Sequence, residues 1–264
     1  MPPKCCAVIA PQLMQLDLTG KSALVTGSSK GIGLSIARLL HEEGCRVALN
    51  ARNGQKLEIA KASLSGSIGI AGDMSSQKEA QHVVSQVSEA FGGLDILVCN
   101  VGSGRSVPAG CENYEEWQRV FALNLWSTTN TVEAARGALA SSKGVVVCIS
   151  SICGLEVIAG APLTYSVAKA ALNAYVRGVA RPLGKQGIRI NAIAPGNILF
   201  EGSVWANKLA EDPKAVNDML EKDVPLSCLG SPNDVANLVA YLVSPRSAFA
   251  SGRIWTLDGG QVRS

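Results

Sequence analysis

Ser22-Ala23-Leu24-Val25-Thr26-Gly27-Ser28-Ser29-Lys30-Gly31-Ile32-Gly33 is the stretch that decides the fold. Its first five residues form a short, apolar, β-rich run and read as a strand. Three glycines follow, and then the helical pattern of Gly33–Glu43. Glycines permit a tight turn and let the backbone come close to a pyrophosphate. The helix N-terminus behind them offers free N–H groups and a favourable dipole. The spacing is Gly-x-x-x-Gly-x-Gly rather than the commonest dinucleotide fingerprint, Gly-x-Gly-x-x-Gly. An ordinary glycine-rich turn is the plainer alternative. A position between the first strand and first helix favours nucleotide binding through Gly27, Ser29, Lys30, Gly31, Ile32 and Gly33.

Outward from this loop, β-rich runs alternate with helical patterns. Strands are expected at Arg46–Asn50, Ser67–Ala71, Leu94–Cys99, Val145–Ser150, Ile188–Ala194 and Arg253–Leu257. Helices are expected at Gln55–Leu64, Gln77–Phe91, Thr164–Leu183 and Asn233–Val243, with one long helical stretch from Tyr114 to Leu139. Apolar strands separated by long helices give a parallel sheet covered on both faces. Right-handed crossovers wind it doubly, so the expected fold is α/β, a Rossmann-type sheet of about seven strands. Residues 1–16 read as an N-terminal extension and 17–264 as one domain. The polar, irregular segment near 197–225 reads as a lid.

Composition excludes several function classes. The chain has 264 residues, 47% of them hydrophobic, and a formal charge of +3 with no run of basic residues. Nothing points to nucleic acid or to an anionic membrane. No stretch reaches the roughly 18 apolar residues of a membrane span. Pro11 interrupts the apolar piece Cys5–Ala10, which is too short for a signal peptide. Cys5-Cys6 is the weaker candidate for lipidation. The eight cysteines form neither a Cys-x-x-Cys pair nor a metal-like cluster with the two histidines. No metal is expected. Core thiols and a reducing, cytoplasmic setting are.

The second strand ends in Asn50-Ala51-Arg52-Asn53. In NAD-binding sheets a carboxylate here receives the ribose 2′-OH. This chain offers the Arg52 guanidinium instead, with Lys30 able to reach the same side. Two cations suit a 2′-phosphate, so NADP(H) is expected over NAD(H).

Tyr165 and Lys169 lie four residues apart, about one helical turn, and can share a helix face. An ammonium beside a phenol stabilises the phenolate and brings its pKa toward the range of a general acid/base. On its own the pair is weak, because an amphipathic helix with a snorkelling lysine looks the same. Other motifs accompany it, from Leu18-Thr19-Gly20-Lys21 near the start to Asp258-Gly259-Gly260 at the end. Between them lie Cys99-Asn100-Val101-Gly102, Phe121-Ala122-Leu123-Asn124, Ser150-Ser151-Ile152-Cys153-Gly154 and Arg189-Ile190-Asn191 leading to Pro195-Gly196. In this order they resemble the short-chain dehydrogenase/reductase family over roughly residues 17–260, including its 3-oxoacyl-[acyl-carrier-protein] reductases.

The resemblance implies that Asn124, Ser151, Tyr165 and Lys169 are catalytic. It implies that Asp73 and Met74 meet the adenine side of the cofactor. Asn100, Val101, Gly102, Pro195, Gly196 and Ile198 complete the binding set, with Tyr165 and Lys169 at the nicotinamide ribose. Three departures stand out. Ser151 lies one residue farther from Tyr165 than is usual, which leaves Ser150 as the alternative and puts an extra residue in 155–162. Phe200 stands where the family often has a threonine against the carboxamide. Pro182 lies near the end of the Tyr/Lys helix, which is expected to bend or end there.

The expected chemistry is hydride transfer between NADP(H) and a carbonyl or secondary alcohol, with Tyr165 as proton donor, Ser151 on the substrate oxygen and Asn124 holding a water beside Lys169. Leu155, Val157, Ile158, Leu199, Phe200 and Trp205 tilt the substrate toward an apolar ketone or a 3-oxoacyl chain. They also suit a plain role in anchoring the lid. The charged lid residues Lys208, Glu211 and Asp212 are expected to face solvent. Alternatives are oxidation of a hydroxysteroid, polyol or cyclic diol, or a non-catalytic nucleotide-binding scaffold. By resemblance, a homotetramer or homodimer joins through the helices near 114–139 and 164–183.

Overall fold

In β1 (Ser22–Val25) the side chains alternate between two cores. Ala23 and Val25 enter one apolar cluster and Leu24 the other. The same alternation in β2 (Arg46–Ala51) sends Val47 and Leu49 one way and Ala48 the other. A strand buried on both faces must be sandwiched between helices, and that is what surrounds it. The computed structural model describes residues 15–263. Most of the expected 1–16 extension, with Cys5 and Cys6, lies outside the described residues.

Seven strands form one sheet in the order β3-β2-β1-β4-β5-β6-β7. The others are β3 (Ile68–Ala71), β4 (Ile96–Cys99), β5 (Val145–Ile149), β6 (Arg189–Pro195) and β7 (Ile254–Leu257). Every pairing is parallel. The helices α1 (Gly31–Glu42) and α9 (Pro232–Val243) contact each other and contribute to the first cluster. The second is built with α3 (Gln77–Phe91), α5 (Ser127–Ser142) and α6 (Leu163–Gly184). The chain winds outward from β1 in both directions. That leaves a crevice between the C-terminal ends of β1 and β4, where such sheets bind ligands.

The long helical stretch is interrupted. It comprises α4 (Tyr114–Phe121), a π-helical turn over Ala122–Trp126, and α5. A single-turn π insertion re-aims one side chain, and Asn124 sits in it, fully buried. Pro182 does not stop α6 at once: the helix ends at Gly184, so the proline occupies its last turn. Its nitrogen has no hydrogen to give the carbonyl four residues back, at Gly178, and the helix ends two residues later.

The irregular segment after β6 contains α7 (Val204–Glu211) and α8 (Pro213–Asp223). Val216, Leu220 and Val224 form a small core of their own there, with Trp205 and Met219 against it. A bridge from Ile198 to Gly230 ties its base to the loop before α9. A short helix α2 (Gly54–Ala62) follows β2. Among the described residues, no helix is long and apolar enough to cross a membrane.

Candidate active site

The glycine loop is held from below by Thr26 and Asn100. The Thr26 hydroxyl donates to Val98 O (3.3 Å) and accepts from Asn100 N (3.0 Å). Asn100 Nδ2 in turn donates to Thr26 O (3.1 Å) and Gly27 O (3.0 Å). A Cβ on Gly33 would stand 2.5 Å from both Asn100 Nδ2 and Gly27 O, so only glycine lets α1 start this close. The first turn of α1 has no side-chain cap: Lys30 occupies the N-cap position and makes no such bond. Its leading N–H groups face the crevice with their dipole unscreened, which suits an anion.

Asn50 does unexpected work here. It is fully buried, and its Nδ2 donates to Ile70 O (3.1 Å) and Gly72 O (3.2 Å). It thereby ties the ends of β2 and β3 together under the loop. A neutral asparagine on a core strand gives no sequence signal for this role. Arg52 and Asp73, expected to act separately, form an ion pair at 3.6 Å. Partial burial raises the Asp73 carboxyl, but two Ser75 hydrogen bonds and Arg52 outweigh it and hold the group below its ordinary range.

Phe200 answers the question left by the missing threonine. A Cβ on Gly31 would meet the Phe200 ring at 2.6 Å, so the ring lies flat against the glycine loop. Next to it, a Cβ on Gly202 would stand 3.7 Å from Lys30 Nζ. The start of the segment after β6 therefore rests directly on the glycine loop.

Tyr165 and Lys169 project from α6 toward the end of β5. Lys169 is 3% exposed, and its Nζ donates to Ile149 O (2.9 Å). Burial lowers its pKa to about 8, which leaves it mostly protonated at neutral pH. Burial pushes the half-buried Tyr165 up to about 12, partly offset by a hydrogen bond with Ser151. The expected lowering of the phenol by Lys169 is thus not the dominant effect in the protein alone, because desolvation wins. The ammonium lies 5.8 Å from the ring centroid.

The two serines are separated by their partners. Ser150 Oγ donates to Asn173 Oδ1 (2.7 Å), one turn beyond Lys169 on the same helix face. Ser151 Oγ accepts from Cys153 N (3.2 Å), and its influence on the Tyr165 phenol lowers that pKa against the effect of burial. Gly154 packs so tightly on α6 that a Cβ would be 2.6 Å from the Lys169 carbonyl carbon. This contact sets the register of the serine turn against α6.

Asn124 Oδ1 accepts from Ser103 N (3.0 Å), while its Nδ2 donates to Ser103 O (3.2 Å) and to Val120 O (3.0 Å), a carbonyl in the turn before the π insertion. A Cβ on Gly102 would meet Asn124 Oδ1 at 2.9 Å and Lys169 Nζ at 3.2 Å. Those two polar atoms therefore converge on the Gly102 backbone.

One cavity of about 1300 Å³ takes in the nucleotide loop, Arg52, Asp73 and Met74, the Val101–Gly102 turn, Tyr165, Lys169 and the Pro195–Ile198 strand end. Gly31, Asn124 and Ser151 stand just behind this lining. Lys208 is exposed as expected; its Nζ also lies 4.6 Å from the Trp205 ring centroid, and the residue borders the cavity. Glu211 and Asp212 are exposed as expected, and Asp212 caps α8 through Ala215 N (2.9 Å). Val157 is 99% exposed, so it anchors nothing within this chain. The thiols of Cys45, Cys99 and Cys148 are buried, whereas Cys111 and Cys228 are exposed and Cys153 borders the cavity.

Known proteins repeat this arrangement. A family model described as Enoyl-(Acyl carrier protein) reductase matches residues 27–261. Glucose 1-dehydrogenase 2 of Bacillus subtilis is 33% identical over 257 residues, covering 94% of this chain and 97% of the relative. A 3-oxoacyl-[acyl-carrier-protein] reductase of Rickettsia prowazekii is 33% identical over 253 residues, covering 94% and 99%. The structure of L-sorbose reductase from Gluconobacter frateurii, complexed with NADPH and L-sorbose, superposes with a TM-score of 0.88 at 29% identity, covering 95% of this chain and all of that one. Parallel sheet, glycine loop and Tyr-x-x-x-Lys helix together with these relatives place the chain in the short-chain dehydrogenase/reductase family of oxidoreductases.

Proposed function

We propose that the chain is an NADP(H)-dependent reductase of a ketone or 3-oxoacyl-type carbonyl, with Tyr165 as the proton donor. The observation that carries this reading is that Tyr165 and the buried Lys169 line the same cavity as the glycine loop, with Ser151 just behind the lining and acting on the phenol.

The residues present fit a dinucleotide. The uncapped start of α1 and the Gly33 approach would hold the pyrophosphate, and Lys30 and Arg52 a 2′-phosphate. Asp73 and Met74 would border the adenine, and Asn100 to Gly102 the adjoining ribose edge. Pro195, Gly196 and Ile198 would border the nicotinamide. When bound, the cofactor supplies the hydride. Ser151 positions the substrate oxygen, and Tyr165 delivers a proton to it as negative charge develops. A phenol held near 12 is protonated at neutral pH, as a proton donor to the substrate oxygen must be. Lys169 keeps the site positive, and Asn124 with Lys169 would hold a water that returns the proton.

The chain reads as one domain over 17–264 with a lid at 197–225, working in the cytoplasm. Tyr114, Trp126, Leu163 and Val167 are exposed on or beside α4 and α6 and support a homotetramer or homodimer joined there. The direct test is NADPH oxidation, followed by nicotinamide absorbance, with ethyl 3-oxobutanoate, L-sorbose and cyclohexanone as probes. Turnover of at least one with NADPH preferred over NADH is expected. Binding of NADPH with no turnover of any ketone or alcohol would return the chain to the scaffold reading.

A further inference from the structure

Segment 103–107, between β4 and α4, forms the wall beside the Tyr165 ring: a Cβ on Gly104 would lie 3.8 Å from the phenol carbons Cε1 and Cζ. Asn124 fixes only its first residue, Ser103. The rest is held by an ionised cluster that the reaction itself does not use. Glu116, on α4, accepts from Arg119 Nε and Nη2 (both 2.7 Å), from Ser106 Oγ (2.6 Å) and from Val107 N (3.3 Å). Arg119 Nη2 also donates to Arg105 O (3.0 Å). The Glu116 side chain is 13% exposed, and Arg119 and Ser106 pull its carboxyl down to about 2. It is an ionised anchor at every working pH.

The cluster reaches α6 through one hydroxyl. Ser106 Oγ and Thr164 Oγ1 are 2.6 Å apart, and either could donate on geometry alone. An ionised carboxylate only accepts, so the single Ser106 proton goes to Glu116 and Thr164 must donate to Ser106. Thr164 is fully buried and immediately precedes Tyr165. The N-terminus of α6 has no side-chain cap, its N-cap position being Pro162. The chain Thr164 to Ser106 to Glu116 therefore ties the first turn of α6 to α4, and the same carboxylate holds the wall facing the phenol.

We propose that Glu116 is a positioning residue for the reaction: through Ser106 and Thr164 it sets the Tyr165 phenol and the 103–107 wall at a fixed separation. This rests on Tyr165 being the proton donor. No atom of Glu116 needs to touch substrate or cofactor. Charge-assisted bonds of this length are short and strong and tolerate little drift, and small misplacements of a reacting group have large effects on rate.

The experiment compares wild type with Glu116→Gln, Thr164→Val, the double variant and Tyr165→Phe, using NADPH and whichever of the three probe ketones wild type reduces fastest. Glu116→Gln is expected to lower kcat about ten- to a hundredfold, leave NADPH affinity within about twofold, and raise the solvent deuterium isotope effect on kcat, because a displaced donor makes proton transfer more limiting. Thr164→Val keeps shape, leaves the Glu116–Arg119 pair intact, and should lower kcat in the same direction. The double variant should be no slower than Glu116→Gln, since both cut one chain. The proposal is overturned if Glu116→Gln lowers only the melting temperature, if the two losses multiply, or if the isotope effect stays at the wild-type value. Should Glu116→Gln not fold, Thr164→Val decides alone, and an unchanged kcat and isotope effect overturns the idea. Failure of the underlying reading is separate: Tyr165→Phe would then remain active whatever Glu116 does.

Discussion

The nucleotide half of the cavity and the substrate half are built in opposite ways. The first stands on two large apolar clusters and a parallel sheet, with its loop pinned by buried Thr26 and Asn50 and by Asn100. The second is bounded by the 197–225 segment, whose own core is three buried residues, and by the 155–162 loop with Val157 wholly exposed. The glycine-loop half stands on elements with large cores, while the other half is bounded by segments with little core of their own. Ser151, Tyr165 and Lys169 lie on the seam, carried by the rigid side.

If the seam belongs to the rigid side, removing its proton should abolish chemistry and disturb nothing else. Tyr165→Phe is expected to lower kcat by about a thousandfold or more, with NADPH affinity and melting temperature near wild type. A variant that keeps most of its rate on a ketone that wild type reduces would take Tyr165 out of the reaction.

The two halves should also respond differently to volume. On the rigid side, Gly33→Ala places a methyl 2.5 Å from a backbone oxygen that cannot move away, and NADPH affinity should fall about a hundredfold. In the 197–225 segment, Trp205→Ala removes an aromatic from a three-residue core. It should leave NADPH affinity almost unchanged and raise KM for the ketone about tenfold. Titrating NADPH by fluorescence and ketone by initial rates separates the two, and equal effects on both ligands would dissolve the contrast.

A smaller change probes the outer edge of the nucleotide half. Because Arg52 already pairs with Asp73 at 3.6 Å, an acidic replacement would set two carboxylates against each other. Arg52→Gln is the cleaner test. A guanidinium–phosphate hydrogen bond contributes about 1.5–3 kcal/mol, so NADPH affinity should drop roughly ten- to a hundredfold while NADH affinity stays level. Parallel losses for both cofactors would mean that Arg52 acts only by ordering Asp73.

What the sequence made legible follows the same division. The glycine loop, the strand alternation and the Tyr165–Lys169 spacing are local patterns with fixed periods, and the sheet and its crevice follow from them. Asn50 and Glu116 escaped because their roles depend on partners far along the chain. Glu116, for instance, looks like one half of an ordinary i,i+3 surface pair with Arg119 until Ser106 and Thr164 are brought to it. The π-helical turn was invisible for a related reason: its sequence is helical throughout, and only the fit of Asn124 against Ser103 selects the insertion. The internal packing of the segment after β6 was not legible, since Lys208 on Trp205 is a contact that periodicity does not encode. The direction of the Tyr165 shift reversed because adjacency to a cation was weighed without the desolvation of both groups.

That reversal has a consequence for stability on the rigid side of the seam. Lys169 has a pKa of about 8 when folded, against an ordinary value of 10.5. Between those values the unfolded chain binds more protons than the native one, so stability should rise with pH across that window and be independent of this group below about 8. Tyr165 acts with the opposite sign and at higher pH: raised from 10.0 to about 12, it makes the native state the better proton binder there, and stability should fall above 10. Cys45, Cys99 and Cys153, all raised above 9.0, act with the same sign as Tyr165 from about pH 9, so the difference between wild type and a Lys169 variant, rather than the wild-type curve alone, isolates Lys169. Its slope can approach 1.4 kcal/mol per pH unit, and the gain over wild type at the lower end should be on the order of 1 kcal/mol. Urea midpoints for wild type and Lys169→Met at pH 8, 9 and 10 would show it: the wild-type curve climbs relative to the variant, which has no proton to release. Parallel curves would mean that the ammonium is solvated in the folded chain, and that the site is wetter than its 3% exposure implies.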